Sequence, residues 1–295
     1  MLHIYQCNDR FNELVSFAAR LNTDGTHHIG FFGEGEADVR ASLAECLIPP
    51  AEGFLLAYEG DTLIGVFGVD ADPEISRAWL YGPLIEHRDW HIVADELYAQ
   101  VLALIPADIR DYDLFCDEQN IRMQEFAARH GFPLRSENAV LNLDREKYTP
   151  VATGKAKIIP YQASFFEQFE QLHRSVFPNA YFTARQIVEK IDDTRQLFIA
   201  CEDERLIGYH FCKIDPESES GYVDFIGVEG SARGRGTGAD LLASGLDWML
   251  SAPMTRKIDL TVNADNAAAL RLYEKFGFVT ERVMRGYRKE MKRKR

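Results

Sequence analysis

Two stretches of the chain alternate between apolar and polar positions in the same way. "FLLAYEGDTLIGVFG" from Phe54 and "LFIACEDERLIGYHF" from Leu197 each run apolar, break at an acidic turn, and run apolar again. That is the pattern of two short strands joined in a hairpin. Laid on each other, Ala57 meets Ala200, Glu59 meets Glu202, and Leu63-Ile64-Gly65 meets Leu206-Ile207-Gly208. A second pair follows, "NIRMQEFAARHGF" from Asn120 and "NAAALRLYEKFGF" from Asn266. Both show a helical period that opens at an asparagine cap and closes at a glycine. Two matches in the same order, at nearly the same separation, predict a duplicated domain. The expected boundaries are 1–147 and 155–295, with a linker in "KYTPVATGK", Lys147 to Lys155, where turn residues replace periodicity.

In the second half the pattern predicts a strand at "KIIPY" and helices at "FFEQFEQLHRSVF" and "ARQIVEKIDDT". The hairpin "QLFIAC"/"RLIGYHFCKI" follows, then a strand at "GYVDFIGV", a glycine-rich turn and a helix at "TGADLLASGLDWML". Last come a strand at "KIDLTV", the helix at "NAAALRLYEKF", and one or two strands in "VTERVMRGYRKEM". Hairpins combined with a strand–helix–strand crossover imply an α/β (α+β) fold, a mixed sheet flanked by helices.

Composition narrows the chemistry. The 295 residues suit two domains, and the net charge of −13 argues against nucleic acid or an anionic membrane as partner and suits a cationic substrate. The basic end, "RKEMKRKR", reads as a solvated tail. Five scattered cysteines without CxxC spacing point away from disulfides or a zinc site and toward a reducing, cytoplasmic setting. No signal-peptide pattern and no apolar run long enough to span a bilayer are present. No metal is expected, and the pattern leaves monomer and homodimer equally open.

The glycine turn "SARGRGTGADLL" carries the chemistry. Helix N-termini present unpaired N–H groups and a partial positive charge, and glycines let an anion approach the backbone. Gly234-Arg235-Gly236-Thr237-Gly238-Ala239 even fits the dinucleotide pattern G-x-G-x-x-G/A, with Asp259 in the next strand. The context is poor for that reading. Five residues separate Val228 from Gly234, and Asp259 falls at the near end of its strand, where a ribose would not be. A phosphate-binding G-x-x-x-x-G-K-[ST] loop is absent.

Read as R-x-x-G-x-G after a strand ending in valine, and followed later by "VNADNAAALRLYEKFGF", the segment resembles the paired signature motifs of the GNAT superfamily of N-acetyltransferases. The resemblance covers the second half, from about Gly154 to Arg295, and implies two GNAT-like domains, each a mixed, mostly antiparallel sheet flanked by helices. It implies acetyl-CoA as cosubstrate, with its pyrophosphate on Arg233, Gly234, Arg235, Gly236, Thr237 and Gly238. The strand Ile226, Gly227, Val228 would pair with the pantetheine arm, and the N–H of Val228 would face the thioester carbonyl. Asn266 would bond the pantetheine or phosphate region, and Tyr273 would sit near the sulfur. Gly230 departs from the family, where proline is common.

Acetyl transfer to an amine needs a neutral nucleophile, and deprotonating an alkylamine of pKa ~10.4 at pH 7 costs about 4–5 kcal/mol. A carboxylate or histidine can take that proton. Asp224, inside an otherwise apolar strand, is the first candidate base, and strict alternation puts it on the face of Ile226 and Val228. His210 is a weaker candidate. Tyr273 is the candidate donor to the departing thiolate. Glu217 and Glu219 in "DPESES" could attract a cationic acceptor, and Phe177, Tyr181 and Phe182 in "FPNAYF" could wall its site.

The first half lacks these features. "AWLYGPL" aligns with "YVDFIGV" but leads into "IEHRDWHIVADELY", with no glycine between Gly82 and Gly131, and Tyr273 aligns with Ala127. Trp79, Tyr81 and Trp90 read as packing residues. The first half therefore resembles a degenerate domain, and one acetyl-CoA per chain is expected. The readings that stand are an N-acetyltransferase acting on a primary amine of a small molecule or peptide, with a thiol-precursor synthase resembling mycothiol synthase as a variant; a non-catalytic acyl-CoA-sensing module; and a dinucleotide-binding protein.

Overall fold

The computed structural model describes residues 2–151 and 156–291. Residues 152–155 of the expected linker and 292–295 of the basic end lie outside the described residues. The chain divides into two compact units, Met1–Asn138 with Arg282–Arg295, and Ala139–Glu281.

The first unit contains β1 (Leu2–Gln6), α1 (Phe11–Asn22), α2 (Gly35–Ala44), α3 (Pro50–Gly53), β2 (Phe54–Glu59), β3 (Thr62–Asp72), β4 (Arg77–Ile85), α4 (Trp90–Val101), β5 (Asp111–Asp117) and α5 (Ile121–Arg129). The strand β6 (Leu134–Asp144) starts in this unit and ends in the second. The second unit contains β7 (Lys157–Pro160), α6 (Phe166–Val176), α7 (Ala184–Glu189), β8 (Arg195–Glu202), β9 (Arg205–Asp215), β10 (Ser220–Val228), α8 (Thr237–Ser251), β11 (Lys257–Asn263) and α9 (Ala267–Lys275). The strand β12 (Val279–Glu290) starts there and returns to the first unit. Within the units the strand orders are β1-β2-β3-β4-β5-β12 and β6-β11-β10-β9-β8-β7. The recorded pairings are antiparallel except β4–β5 and β10–β11.

The matched sequences fold alike. The hairpins β2–β3 and β8–β9 carry a register shift at matched residues, after Ala57 in one and after Ala200 in the other. Asn120 and Asn266 both cap their helices, accepting from Met123 N at 3.0 Å and Ala269 N at 3.1 Å. The helix expected at "ARQIVEKIDDT" is shorter than its pattern. It opens with a Thr183–Gln186 capping box and stops at Glu189.

The expected boundaries, 1–147 and 155–295, do not coincide with the compact units. Each half ends in a strand after its Asn-capped helix, and those two strands are exchanged. Ala139, Leu141 and Leu143 of β6 are buried in the core of the second unit, and Asn142 Nδ2 donates to Asp259 of β11 at 2.7 Å. In the first unit β12 pairs with β5 from Met284↔Asp117 to Glu290↔Asp111, and Arg288 grips Asp113 with two hydrogen bonds at 2.6 and 2.8 Å.

In the second unit both faces of the sheet are covered, as period-two alternation requires. Leu197, Ile199, Tyr209 and Phe211 pack with Phe169 of α6 and Ile187 of α7. On the other face Ala200 and Ile207 pack with Leu241 of α8. The buried stripe of α8 is Leu241, Leu242, Gly245, Leu246 and Met249. Burying each such leucine contributes about 1.5–3 kcal/mol. No described helix is long and apolar enough to cross a membrane.

Candidate active site

The glycine turn presents bare backbone at the start of α8. After β10 the chain makes a short 3-10 turn, Gly230–Ala232, and then places Gly234 at φ 75° and Gly236 at φ 92°, left-handed values that favour glycine. A Cβ at either position would meet open space, so the surface beside them is bare backbone. Gly236 caps α8, and the Thr237 hydroxyl donates to Ala232 O at 3.4 Å. The first turn bonds shut only from Ala239 and Asp240, whose N–H groups both reach Gly236 O. Among the described residues nothing accepts from the N–H groups of Gly234, Arg235, Gly236, Thr237 or Gly238. Five consecutive unpaired donors at a helix N-terminus are an arrangement that suits the oxygens of an anion.

The two arginines of the turn are both engaged. Arg233 donates from Nε to Val228 O at 3.0 Å, which ties the turn to the end of β10. Arg235 is ion-paired with Glu202, Nη1 to Oε2 at 3.3 Å. Both arginines are exposed, so that surface pair is weak and exchangeable.

The strand before the turn is half open. β10 pairs with β11 only from Ser220↔Lys257 to Val223↔Leu260, although both strands continue. Among the described residues the backbone from Asp224 to Val228 has no strand partner on its β11 side, and Thr261 and Asn263 beyond the split are exposed. An extended ligand arm fits such an edge by main-chain pairing. Gly227 has a packing reason as well, because a Cβ there would press on the Tyr209 ring.

Asp224 is not on the face of Ile226 and Val228, contrary to strict alternation. A β-bulge lies at this residue, with Val223 opposite Cys212 but Phe225 opposite Phe211. The extra residue resets the period, since two residues then face one partner. Ile226 and Val228 pack on the α8 side with Leu241. Asp224 instead stands beside Phe225 on the α6–α7 side and accepts from the Tyr181 hydroxyl at 2.7 Å. Tyr181 in turn stacks on Phe225, ring centroids 4.7 Å apart. The alternation of apolar residues gave no sign of the bulge. The one signal was the carboxylate itself, out of place in an apolar run.

The loop that carries Tyr181 is held by a buried histidine. His173 of α6 donates from Nε2 to Phe182 O at 2.8 Å and accepts at Nδ1 from the Tyr209 hydroxyl at 2.6 Å. Burial lowers its pKa, so the ring is neutral and those roles hold at physiological pH. Phe177 packs on Phe225 at 5.2 Å and Phe182 on Tyr181 at 4.8 Å, which gives the loop aromatic walls.

Tyr273 is buried in the core on the α8–α9 side, edge-on to Phe278 at 5.8 Å. Burial first, and then the neighbouring Tyr222, raise its pKa, so the hydroxyl keeps its proton. Tyr222 donates to Thr261 Oγ1 at 2.9 Å. Asn266 spends its side-chain oxygen on the helix cap; the residue is exposed, and its amide is bonded to no described group.

The remaining candidates are accounted for structurally. His210 is fully buried between β9 and α8, bonds Leu241 O at 2.9 Å, and has its pKa lowered to about 4 by burial. It faces away from Asp224 and packs as a neutral core residue. Glu219 is ion-paired with Arg256 at 2.6 Å. Asp259 accepts from Asn142 and neighbours Lys257 at 3.6 Å, so it is tied into the sheet and does not await a ribose.

The first unit splits its strands at the same place and fills the gap. β4 and β5 pair only from Arg77↔Asp111 to Trp79↔Asp113. Beyond that point the chain's own residues 28–31 lie along β5. Ile29 bridges to Cys116, Gly30 N donates to Phe115 O at 2.8 Å, and Asp117 N donates to His28 O at 3.1 Å. Ile29 is fully buried, and Phe31 packs on Tyr81 at 5.5 Å and Phe115 at 5.9 Å. Ala127 is buried, and the Asn120 amide, exposed in its counterpart, is buried against His28 O.

Residues 164–278 match the sequence profile of the acetyltransferase (GNAT) family. A mycothiol acetyltransferase of Streptomyces griseus is 36% identical over 98 residues, 33% of this chain and 32% of that protein. One of Gordonia bronchialis is 39% identical over 102 residues, 32% of each. The match thus spans about a third of the length of these curated relatives. Among solved structures, a GCN5-related N-acetyltransferase from Sphaerobacter thermophilus superposes with TM-score 0.74 at 14% identity, covering 98% of this chain and 95% of that one. A tandem GNAT protein from the clavulanic acid biosynthesis pathway superposes with TM-score 0.70 at 16% identity, covering 98% of both chains. Residues 164–278 thus match the acetyltransferase (GNAT) family, in a chain that shares its fold over nearly its whole length with a solved tandem GNAT protein.

Proposed function

We propose that the second unit is an acetyl-CoA-dependent N-acetyltransferase that moves an acetyl group directly to a primary amine of a small molecule or peptide within a ternary complex. The observation that carries this reading is the run of five unpaired N–H groups, residues 234–238, directly after a strand whose backbone is open on one side. The first suits a pyrophosphate, and the second suits the amide-bearing arm attached to it. Acetyl-CoA supplies an activated acetyl thioester. Arg233 and Arg235 add charge beside the turn, Asn266 offers its free amide, and Ile226 to Val228 offer the strand edge.

Asp224 takes the proton of the arriving ammonium. Tyr273, kept protonated by burial, donates to the departing sulfur. The relatives' names, mycothiol acetyltransferases, agree with acetyl transfer. The first unit binds no acetyl-CoA, because residues 28–31 fill its strand gap and it lacks the glycine turn.

The test is release of free CoA thiol from acetyl-CoA with a panel of amines. The expected result is amine-dependent release by the wild type. Tyr273→Phe should lose about 100-fold or more in kcat with acetyl-CoA binding retained, in line with loss of a general acid. Tight binding with transfer to no amine would favour an acyl-CoA sensor. Stabilisation by NADPH and not by acetyl-CoA would favour a dinucleotide site.

A further inference from the structure

We propose that Glu202 is a built-in competitor for the donor's phosphates: it holds Arg235 until a donor arrives, yields it on binding, and reclaims it as the thiol product leaves. The proposal rests on the transferase reading above. Glu202 ends β8, and the tip of the β8–β9 hairpin lies against the glycine turn. Two ion pairs of opposite sense join them. Arg235 of the turn donates from Nη1 and Nη2 to the two oxygens of Glu202, and Arg205 of the hairpin reaches Glu229 at 3.4 Å. Beside them Glu229 N donates to Ile207 O at 2.9 Å. The first unit repeats the arrangement without the glycine turn. Glu86 N donates to the matched Ile64 O at 2.9 Å, and the matched Glu59 lies 3.4 Å from His87. In both copies the fold thus sets a hairpin carboxylate over the segment that follows the strand. In the second copy its partner is an arginine of the turn that carries five unpaired N–H groups.

A carboxylate and a phosphate take the same guanidinium in the same forked geometry, so Arg235 cannot serve both fully. The Arg235 hydrogen bonds lower the Glu202 pKa, and the carboxylate is charged at neutral pH. The two side chains are 52% and 41% exposed, so the pair is weak and breaks readily. A diphosphate gains the backbone donors as well as the arginine, and it displaces Glu202. It must nevertheless break the pair, and it then lies near a carboxylate of its own sign. Both effects weaken binding, and neither depends on the acyl group. Acetyl-CoA and CoA carry the same phosphates, so Glu202 weakens the two alike. The consequence falls on release. As CoA departs, the returning Glu202–Arg235 pair offsets part of the lost contacts, and the product's stay is shortened.

Glu202→Gln keeps the size of the side chain and removes its charge. In titration calorimetry on the full chain at about 10 mM salt, the variant should bind acetyl-CoA and CoA more tightly than wild type, each by about three- to fivefold. The gain should fade at about 1 M salt, where the screening length is about 3 Å. CoA should leave the variant correspondingly more slowly in stopped flow. S-acetylpantetheine, which has the thioester arm and no phosphate, should serve both proteins as donor with the same kcat/KM. Glu204→Gln removes a like charge from the same hairpin turn and leaves the ion pair in place, so its affinities should match wild type. Unchanged or weaker binding by Glu202→Gln would overturn the competition. So would equal tightening by Glu204→Gln, or a gain that extends to S-acetylpantetheine. Failure of the wild type to bind acetyl-CoA would instead sink the transferase reading on which the proposal stands.

Discussion

At the scale of single residues, position outweighed residue type. His210 and Asp224 were both legible as candidate bases, yet one is sealed against α8 and the other is bonded to Tyr181 of the α6–α7 loop. Period-two reasoning assigned a face to Asp224, and one inserted residue reversed the answer. His210 also explains a glycine that the helical pattern left unexplained. A Cβ on Gly245 would overlap Cε1 and Nδ1 of the His210 ring, which is fully buried and bonded to Leu241 O. Two effects compete in Gly245→Ala. Helix propensity favours alanine by about 1 kcal/mol. Overpacking a ring that cannot move costs about 1–3 kcal/mol. The overlap is backbone-to-ring with no flexible end to yield, so the variant should melt a few degrees below wild type by calorimetry. An unchanged or higher Tm would show that the ring has room to shift.

At the scale of elements, most of the fold was written in periodicity, since hairpins and capped helices are local. The splits between β4 and β5 and between β10 and β11 were not legible, because strand pairing is a property of two distant segments. Nor could the sequence show that residues 28–31, from a loop with no motif, would lie along β5. That insertion separates the units more sharply than the missing glycines do. In one unit the gap between the strands is open, and in the other the chain's own residues 28–31 run along β5 inside it. Binding stoichiometry reads this directly. Titration calorimetry should find one acetyl-CoA per chain. Gly236→Val forces a β-branched residue to φ 92° in the cradle and should weaken binding by about tenfold or more. No second site should appear in that variant. Residual tight binding would place acetyl-CoA in the first unit and refute the closed gap.

At the scale of the whole molecule, the duplication was visible in sequence, but the ownership of its last strands was not. β6 and β12 each follow an Asn-capped helix, and nothing local tells either strand which sheet it will join. The exchange means that the two copies cannot be inherited separately. A chain cut at the apparent linker yields 1–147, which keeps β5 but lacks the Arg288 strand that pairs with it, and 155–295, which lacks the Leu141 strand of its core. Each piece exposes an unsatisfied strand edge, a known route to aggregation. Produced alone, each should be insoluble or lack a cooperative melt. Produced together, they should reassemble into one soluble species that binds acetyl-CoA. A cooperative melt and full binding by 155–295 alone would show the exchange to be dispensable. If they complement, gene duplication here made one indivisible protein out of two copies, each completed by a strand that the other copy's sequence supplies.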